Sequence, residues 1–383
     1  MKILHVSDDI SSVKGGVSSA IKALCEISLK CDLSISVIHT SNEHYDLPEQ
    51  TIDLCCPPSR VMNFWKFSFF LYYTLKKEIS KLDPEKSIIH VHGVWNAPQY
   101  FAIKLAIKYK IPFIVSFYGM LLPWLWINQG LINRIKKTLY WKLFLNNKLK
   151  YASKYHAITD DEKHIIEKYL PNKTSIAVVN NFVINNYENK IKHDSIDLNH
   201  SILFLGRIHK IKGIELLING FIEADLPKKW KLIIYGLSEN KNYEEYLKIY
   251  VNKINCRNLR DRIIFSNPIY GEEKFRLLSQ SWVLVAPSYS EAMGLVNLEA
   301  ATVSLPSITT NNVGLKNWEE GGGMLVNPNV KEIRDALIRA CSWPKDVRIL
   351  KGIKSREFYE NNYSQEKTAK KWANVYESMI KRN

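Results

Sequence analysis

No stretch of this 383-residue chain reaches the roughly 18 uninterrupted apolar residues that a membrane-spanning helix needs; the nearest, Phe67–Leu75, is short and flanked by lysines. A protein that does not span the bilayer is therefore expected. The N-terminus, Met1 to Asp9, lacks the apolar stretch and small-residue cleavage site of a secretory signal and reads as a strand entering a polar turn, with folding expected from the first residue. The six cysteines (Cys25, Cys31, Cys55, Cys56, Cys256 and Cys341) include no C-x-x-C pair and no adjoining histidine run, which predicts free thiols in a cytoplasmic protein. No short-period repeat or low-complexity tail is present. No Asp-x-Asp stands at a strand end; Asp8–Asp9 and Asp160–Asp161 read as turn or helix-cap residues, so neither a catalytic metal nor a cofactor is expected.

What is present is ordinary in bulk, with 46% hydrophobic and 24% charged residues, and the length suits two domains that each bury a core. The net charge of +15 would attract phosphates or an anionic surface. Apolar β-rich runs alternate with amphipathic helical runs. Strands are predicted at 2–6, 33–39, 88–92, 113–116, 155–158 and 176–179, and again at 201–205, 231–235, 263–265, 282–286, 307–310 and 323–326. This pattern implies two mostly parallel, doubly wound α/β domains. The polar stretch Asn185–His200 is assigned as the linker, giving domains at 1–184 and 201–364. A ligand cleft is expected between them. Residues 365–380 show helical spacing of Ala369, Trp372, Val375, Tyr376 and Met379.

The densest cluster of chemistry is Pro287-Ser-Tyr-Ser-Glu-Ala-Met-Gly-Leu-Val-Asn-Leu-Glu299. It places Glu291 and Glu299 on either side of a glycine turn that opens a helix. Amides of residues 293–296 would face an anion, and each carboxylate would accept from neutral hydroxyls. Were the segment helical throughout, the two glutamates would lie about 12 Å apart along the axis, a span suited to a hexose and a ribose flanking a pyrophosphate. Upstream, Ser201-Ile-Leu-Phe-Leu-Gly206-Arg207-Ile-His-Lys-Ile-Lys212-Gly213 reads as a strand, a glycine turn and a helix start framed by two cations. Arg207 and Lys212 there would stabilise the charge developing on a departing diphosphate.

In order and spacing, Gly206-Arg207 with Lys212-Gly213, then Glu291 and Glu299, resemble the retaining glycosyltransferases of the GT4 group, and the resemblance covers most of the chain. Ser116–Trp124 and Asn267–Lys274 bring it nearest to bacterial enzymes of surface-polysaccharide synthesis (O-antigen, capsule, exopolysaccharide). The resemblance implies a GT-B fold, two facing Rossmann-like domains with a deep inter-domain cleft, and a C-terminal helix, 365–383, packing back on the first domain. It implies Arg207, Lys212 and Glu291 as catalytic residues. Gly16, Gly206, Ile269, Ala292, Met293, Gly294, Leu295 and Glu299 would bind a nucleoside-diphosphate sugar as co-substrate. A front-face mechanism would retain the anomeric configuration without a metal. Asn267 stands where glycine is usual in the family.

In the first domain, Gly15-Gly16 opens the first β–α turn, and backbone N–H groups there can approach an anion or a sugar. His90-Val-His92-Gly-Val-Trp95-Asn96 closes a strand at its carboxyl end, where ligands bind in open α/β sheets. His92, Trp95 and Asn96 are assigned to the acceptor, whereas His90 is expected to point to the opposite face and serve structure. Tyr118 joins the acceptor set; the family often has His or Arg there, so its hydroxyl would position rather than carry charge.

Two first-domain segments, Arg60–Lys77 and Trp124–Lys150, mix cations with Trp, Phe and Tyr in the manner of interfacial helices. They point to peripheral attachment at the inner face of the plasma membrane, beside a lipid-linked glycan acceptor. Their bland reading is a core-facing stripe with solvated lysines. A second class of function is a noncatalytic nucleotide or nucleic-acid binder using the same basic surface, but no nucleic-acid motif is present and no nucleic-acid partner is expected.

Overall fold

The structure, a computed structural model, describes residues 1–11, 15–41, 47–127, 130–170, 175–185, 187, 199–238, 241–254 and 257–380. The chain divides into two compact units: Met1–Phe182 together with Gln365–Asn383, and Val183–Ser364. Most of the expected linker, and Cys256, lie outside the described residues. No disulfide joins the five described cysteines, and no helix among the described residues is long and apolar enough to cross a membrane.

The first unit is built on β1 (Lys2–Val6), β2 (Ser34–His39), β3 (Ile52–Cys55), β4 (Ser87–His92), β5 (Phe113–Ser116), β6 (Lys154–Ala157) and β7 (Ile176–Val178). These form one parallel sheet in the order β3-β2-β1-β4-β5-β6-β7. Its helices are α1 (Gly16–Leu29), α2 (Phe69–Ile79), α3 (Ala97–Tyr109), α4 (Pro123–Ile127), α5 (Leu131–Tyr140), α6 (Asn146–Leu149) and α7 (Asp160–Tyr169), with a π-helical turn at Trp141–Leu145. β1, β4 and β5 each carry two or three Ile or Val residues and are buried almost end to end, as strands covered on both faces must be. β3 escaped the sequence reading because it is a four-residue edge strand, exposed or half-buried, with Asp53 inside it.

The second unit holds β8 (Ser201–Leu205), β9 (Lys231–Tyr235), β10 (Ile263–Ser266), β11 (Val283–Ala286), β12 (Ser307–Thr310) and β13 (Met324–Val326), again all parallel, in the order β10-β9-β8-β11-β12-β13. Its helices are α8 (Ile214–Glu223), α9 (Lys241–Asn252), α10 (Arg257–Arg260), α11 (Gly271–Gln280), α12 (Leu295–Thr302), α13 (Val330–Cys341) and α14 (Lys345–Tyr363). Ile202, Phe204, Ile234, Val283, Val285 and Ile308 form the centre of its core. Buried Arg348 of α14 donates to the carbonyls of Ser281, Trp282 and Ser304, which satisfies its charge without a carboxylate.

The last helix, α15 (Gln365–Ile380), belongs to the first unit and packs on α1 and β4 through buried Trp372, Tyr376 and Met379. The 3.6-residue spacing of these residues is the reason a helix so far along the chain can serve as a layer of the first unit's core.

Between β8 and α8 the chain makes a 3₁₀ turn, Lys210–Lys212, that ends on Gly213 at φ +66°. A Cβ at Gly213 would sit 2.1 Å from the Pro287 carbonyl oxygen, so glycine is what lets the loop after β8 lie against the loop after β11. Gly15, at φ +67°, has nothing within 4 Å of such a Cβ. Gly213→Ala should therefore cost on the order of 2 kcal/mol or more in urea denaturation, and Gly15→Ala about 1 kcal/mol. Equal costs would show that backbone conformation alone selects glycine at Gly213.

Candidate active site

At the carboxyl edge of the second sheet, β8 and β11 are neighbours, and the loops that leave them meet. Lys212 Nζ donates to Glu291 Oε1 at 2.7 Å, and Ser288 Oγ donates to Glu291 Oε2 at 3.1 Å. Glu291 lies outside the helix, in a single bridge to Val313, with its amide on the Asn312 carbonyl. The axial-rise estimate for the two glutamates does not apply, because α12 begins only at Leu295. Glu299, within α12, accepts from Lys274 Nζ of α11 at 2.8 Å. Both pairs are open to solvent at the side-chain level, at 17% and 22% for Lys212 and Glu291 and 18% and 16% for Lys274 and Glu299.

The structure thus brings Lys212 and Glu291 together, with Gly206 and Arg207 immediately after β8, and pairs Glu299 with a lysine that the site assignment omitted. Lys274 is 25 residues away in sequence from Glu299, and only the packing of α11 on α12 joins them. Half-buried Ala292, buried Met293 and Gly294 form the turn into α12. Within it the Leu295 amide is bonded to the Met293 carbonyl and the Asn297 amide to the Gly294 carbonyl, so the turn directs fewer amides outward than an ideal helix start would. A Cβ on Gly294 would lie 2.4 Å from Asn297 Nδ2 and 3.0 Å from Val313 Cγ1, so a larger residue there would have to displace the Asn297 side chain. Ile269 is half-buried between β10 and α11.

At the carboxyl edge of the first sheet the residues assigned to an acceptor from the sequence sort differently. His92 ends β4 fully buried, with Nδ1 bonded to the Tyr118 hydroxyl and Nε2 to His5 Nδ1, each at 2.8 Å. His92 therefore lies beneath Tyr118 and orients it instead of reaching a ligand itself. The opposite-face expectation for His90 is corrected: residues two apart on a strand share a face, and the His90 and His92 rings stack at 4.1 Å. Trp95 turns away from both, into a cluster with Trp126, Tyr140 and Trp141, with Lys137 Nζ 5.5 Å from its ring centre. Asn96 donates to Asp8 Oδ2 at 2.8 Å, and Gln99 donates to Asp8 Oδ1 at 2.9 Å and to the His92 carbonyl. Asp8 is therefore not a turn cap. Burial raises its carboxyl above the usual carboxylate value, against the hydrogen bonds that lower it. Gly16 is exposed at the first turn of α1, one residue after positive-φ Gly15.

Below this edge runs a directed chain of neutral groups. His156 Nε2 donates to the Val179 carbonyl at 2.8 Å, which leaves its Nδ1 to accept from Ser116 Oγ at 2.7 Å. Ser116 in turn accepts from His90 Nε2 at 2.6 Å, and His90 Nδ1 accepts from the Tyr376 hydroxyl of α15 at 2.8 Å. Burial lowers His5 to about 3 and His156 to about 4, and holds His90 and His92 well below the ordinary histidine value. Nitrogens of His5, His90 and His92 lie within 4.8 Å of one another, a spacing that would admit a metal. Both ring nitrogens of His90 and of His92 are already hydrogen-bonded, however, so the donor set is committed to the polar chain.

Tyr118 and Gly119 are consecutive positive-φ residues, at +52° and +76°. Such a turn, unusual for tyrosine, persists only where its surroundings hold it. Buried Glu162, in the first turn of α7, supplies the hold: its Oε1 accepts from the Gly119 amide and its Oε2 from the Ile158 amide at 2.7 Å. Burial pushes its carboxyl up to about 7. Glu162 was not singled out in the sequence; a Thr159-x-x-Glu162 capping pattern was the only local signal.

Opposite pH dependences follow. The Glu162 value in the fold exceeds its ordinary value of 4.5, so its stabilising contribution is full below pH 4.5 and is lost as pH rises through about 7. The four histidines lie below their ordinary 6.5, so their contribution is full above pH 6.5 and is lost as pH falls towards 4. The urea midpoint should fall between pH 7 and 4, and Glu162→Gln, lacking the opposing gain, should fall more steeply from pH 7 to 4.5. Parallel curves would remove the near-neutral titration from Glu162.

Residues 14–185 match the model of Glycosyltransferase Family 4, and residues 199–342 that of Glycosyl transferases group 1. The chain is 25% identical over 316 residues to the O-antigen biosynthesis glycosyltransferase WclY of Escherichia coli, covering 80% of this chain and 82% of that protein. An uncharacterized glycosyltransferase of Methanocaldococcus jannaschii is 30% identical over 187 residues, a match that spans 46% of this chain and 44% of the archaeal protein. Among solved structures, a sucrose-phosphate synthase of Thermosynechococcus elongatus superposes with a TM-score of 0.75 at 17% identity and full coverage of both chains. HepE of Anabaena, solved with UDP-glucose, gives 0.71 at 13% identity, covering 99% of this chain and 100% of that one. With two parallel Rossmann-like units and a family model on each, this chain belongs to the GT4-type glycosyltransferases of GT-B fold.

Proposed function

We propose that this glycosyltransferase moves a hexose-type sugar from a nucleoside-diphosphate donor to a lipid-linked or oligosaccharide acceptor in bacterial surface-polysaccharide synthesis, with retention and without a metal. The observation that carries the proposal is the pair of partly solvated Lys–Glu bridges flanking the Gly294 turn. The functions printed for WclY and the UDP-glucose bound to HepE support the acceptor pathway and the donor class respectively.

In this reading Lys212 exchanges Glu291 for the incoming diphosphate. Glu291, still bonded to Ser288, is released to accept from donor-sugar hydroxyls. The exchange is feasible because a partly exposed ion pair is worth only about 1 kcal/mol or less, whereas a diphosphate offers more than one charge. Arg207 adds a second cation as the leaving group gains charge. Lys274 holds one oxygen of Glu299, and the other accepts from the ribose diol. Tyr118, supported by His92 and by Glu162 through Gly119, positions the acceptor hydroxyl, whose proton passes to a donor phosphate oxygen. Family membership disfavours a noncatalytic nucleic-acid binder.

The acceptor is proposed to be reached at a membrane surface. α2 buries Leu71, Leu75 and Ile79 but leaves Phe69, Phe70 and Tyr73 exposed. α5 buries no residue at all and exposes Leu131, Ile132, Ile135 and Leu139. A core-facing stripe therefore does not account for these apolar residues. Trp65, Tyr100, Tyr140 and Phe144 pack in sequence between the two segments.

Thermal unfolding with UDP-, GDP-, ADP- and dTDP-sugars tests the donor site, because a ligand that binds only the folded chain raises its melting temperature. One donor class should give a shift that Glu299→Ala abolishes, while Arg207→Ala should keep most of the shift and slow transfer at least tenfold. No shift with any donor would overturn the assignment.

A further inference from the structure

We propose that a cavity in the first unit, distinct from the proposed donor site, binds the phosphoryl headgroup of an anionic membrane lipid. The cavity measures about 420 Å³ and is lined by Pro123 and Trp126 of α4, Arg134 and Thr138 of α5, Trp141 and Lys142 of the π turn, and Tyr169 of α7. Its wall is aromatic: Tyr169 stacks on Trp126 at 5.5 Å and meets Trp141 edge-on at 6.1 Å. Trp126 also carries a buried indole N–H with no hydrogen-bond partner.

The charge at this site has one sign. Among the described residues that line it, Arg134 and Lys142 are the ionisable groups apart from Tyr169, and from Lys86 to Thr159 the sequence contains no Asp or Glu. Two exposed cations on an aromatic wall suit phosphoryl oxygens. A free anion would account for the cations but not for the exposed Leu131, Ile132, Ile135, Leu139 and Leu143 on the same helix and π turn. A flat bilayer contact would account for those residues but not for a walled cavity. A phosphate headgroup whose acyl chains stay in the bilayer uses both features.

This inference rests on the membrane-facing reading of this surface, and the two fail separately. The full-length protein would be sedimented with vesicles of phosphatidylcholine alone or with one-third phosphatidylglycerol, comparing Arg134→Gln/Lys142→Gln with Lys136→Gln/Lys150→Gln, which removes the same charge outside the cavity. We expect binding to the anionic vesicles, a loss of about tenfold for the control pair and at least a further tenfold for the cavity pair. Equal losses would overturn the cavity and leave the membrane face standing. Absence of wild-type binding would overturn both, with donor-induced stabilisation left intact. Displacement from vesicles by millimolar inorganic pyrophosphate, but not by the same concentration of sodium chloride, would replace the lipid with a free phosphate as occupant.

Discussion

Each unit depends on one adjacency: two parallel strands that are neighbours in space while another strand pair separates them in sequence. β1 lies beside β4, and β8 beside β11. At these points the strand order reverses, so the loops that follow the two strands diverge and leave a crevice at the carboxyl edge. In each crevice a carboxylate bonds across the gap. Asp8, after β1, is held by Asn96 and Gln99 of the loop and helix after β4; Glu291, after β11, is held by Lys212 of the loop after β8. The close approach at Gly213 is what brings the second pair within reach.

The two crevices differ in what they can give up. Around Asp8, His92 and Tyr118 the partners are neutral and largely buried, so removing one leaves a desolvated polar group at a cost of about 1–3 kcal/mol. That environment suits fixed geometry. Around Glu291 and Glu299 the partners are lysines with appreciable access to water, where an ion pair contributes little net energy and can be exchanged. That environment suits a ligand that must enter and leave. The proposed division, positioning in the first unit and charge stabilisation in the second, follows from this contrast in solvation.

Much of the fold was legible because parallel strands buried on both faces are written as short apolar runs, and twelve such runs fall on observed strands with end shifts of at most a residue. β3 was not, since an edge strand with an aspartate lacks that signature. The α15 boundaries were readable from its 3.6-residue spacing. Lys212, Glu291 and Glu299 could be singled out because glycine turns and charges recur there at short range. Lys274, Asp8 and Glu162 were missed because their partners lie 25, 88 and 43 residues away, too far for local spacing to register.

By itself the sequence determined the class of the chain: alternating strands and helices, two parallel α/β units, a cationic balance, and the charged glycine turns on which the proposed donor site rests. Those properties are set by local periodicity and residue chemistry, which act within a few residues. Only the tertiary structure decided which histidine touches Tyr118, that Trp95 joins an aromatic cluster, and which lysine answers each glutamate. Those outcomes depend on packing between segments brought together by strand order, where a face, a burial or a partner is assigned only once the neighbouring elements are in place.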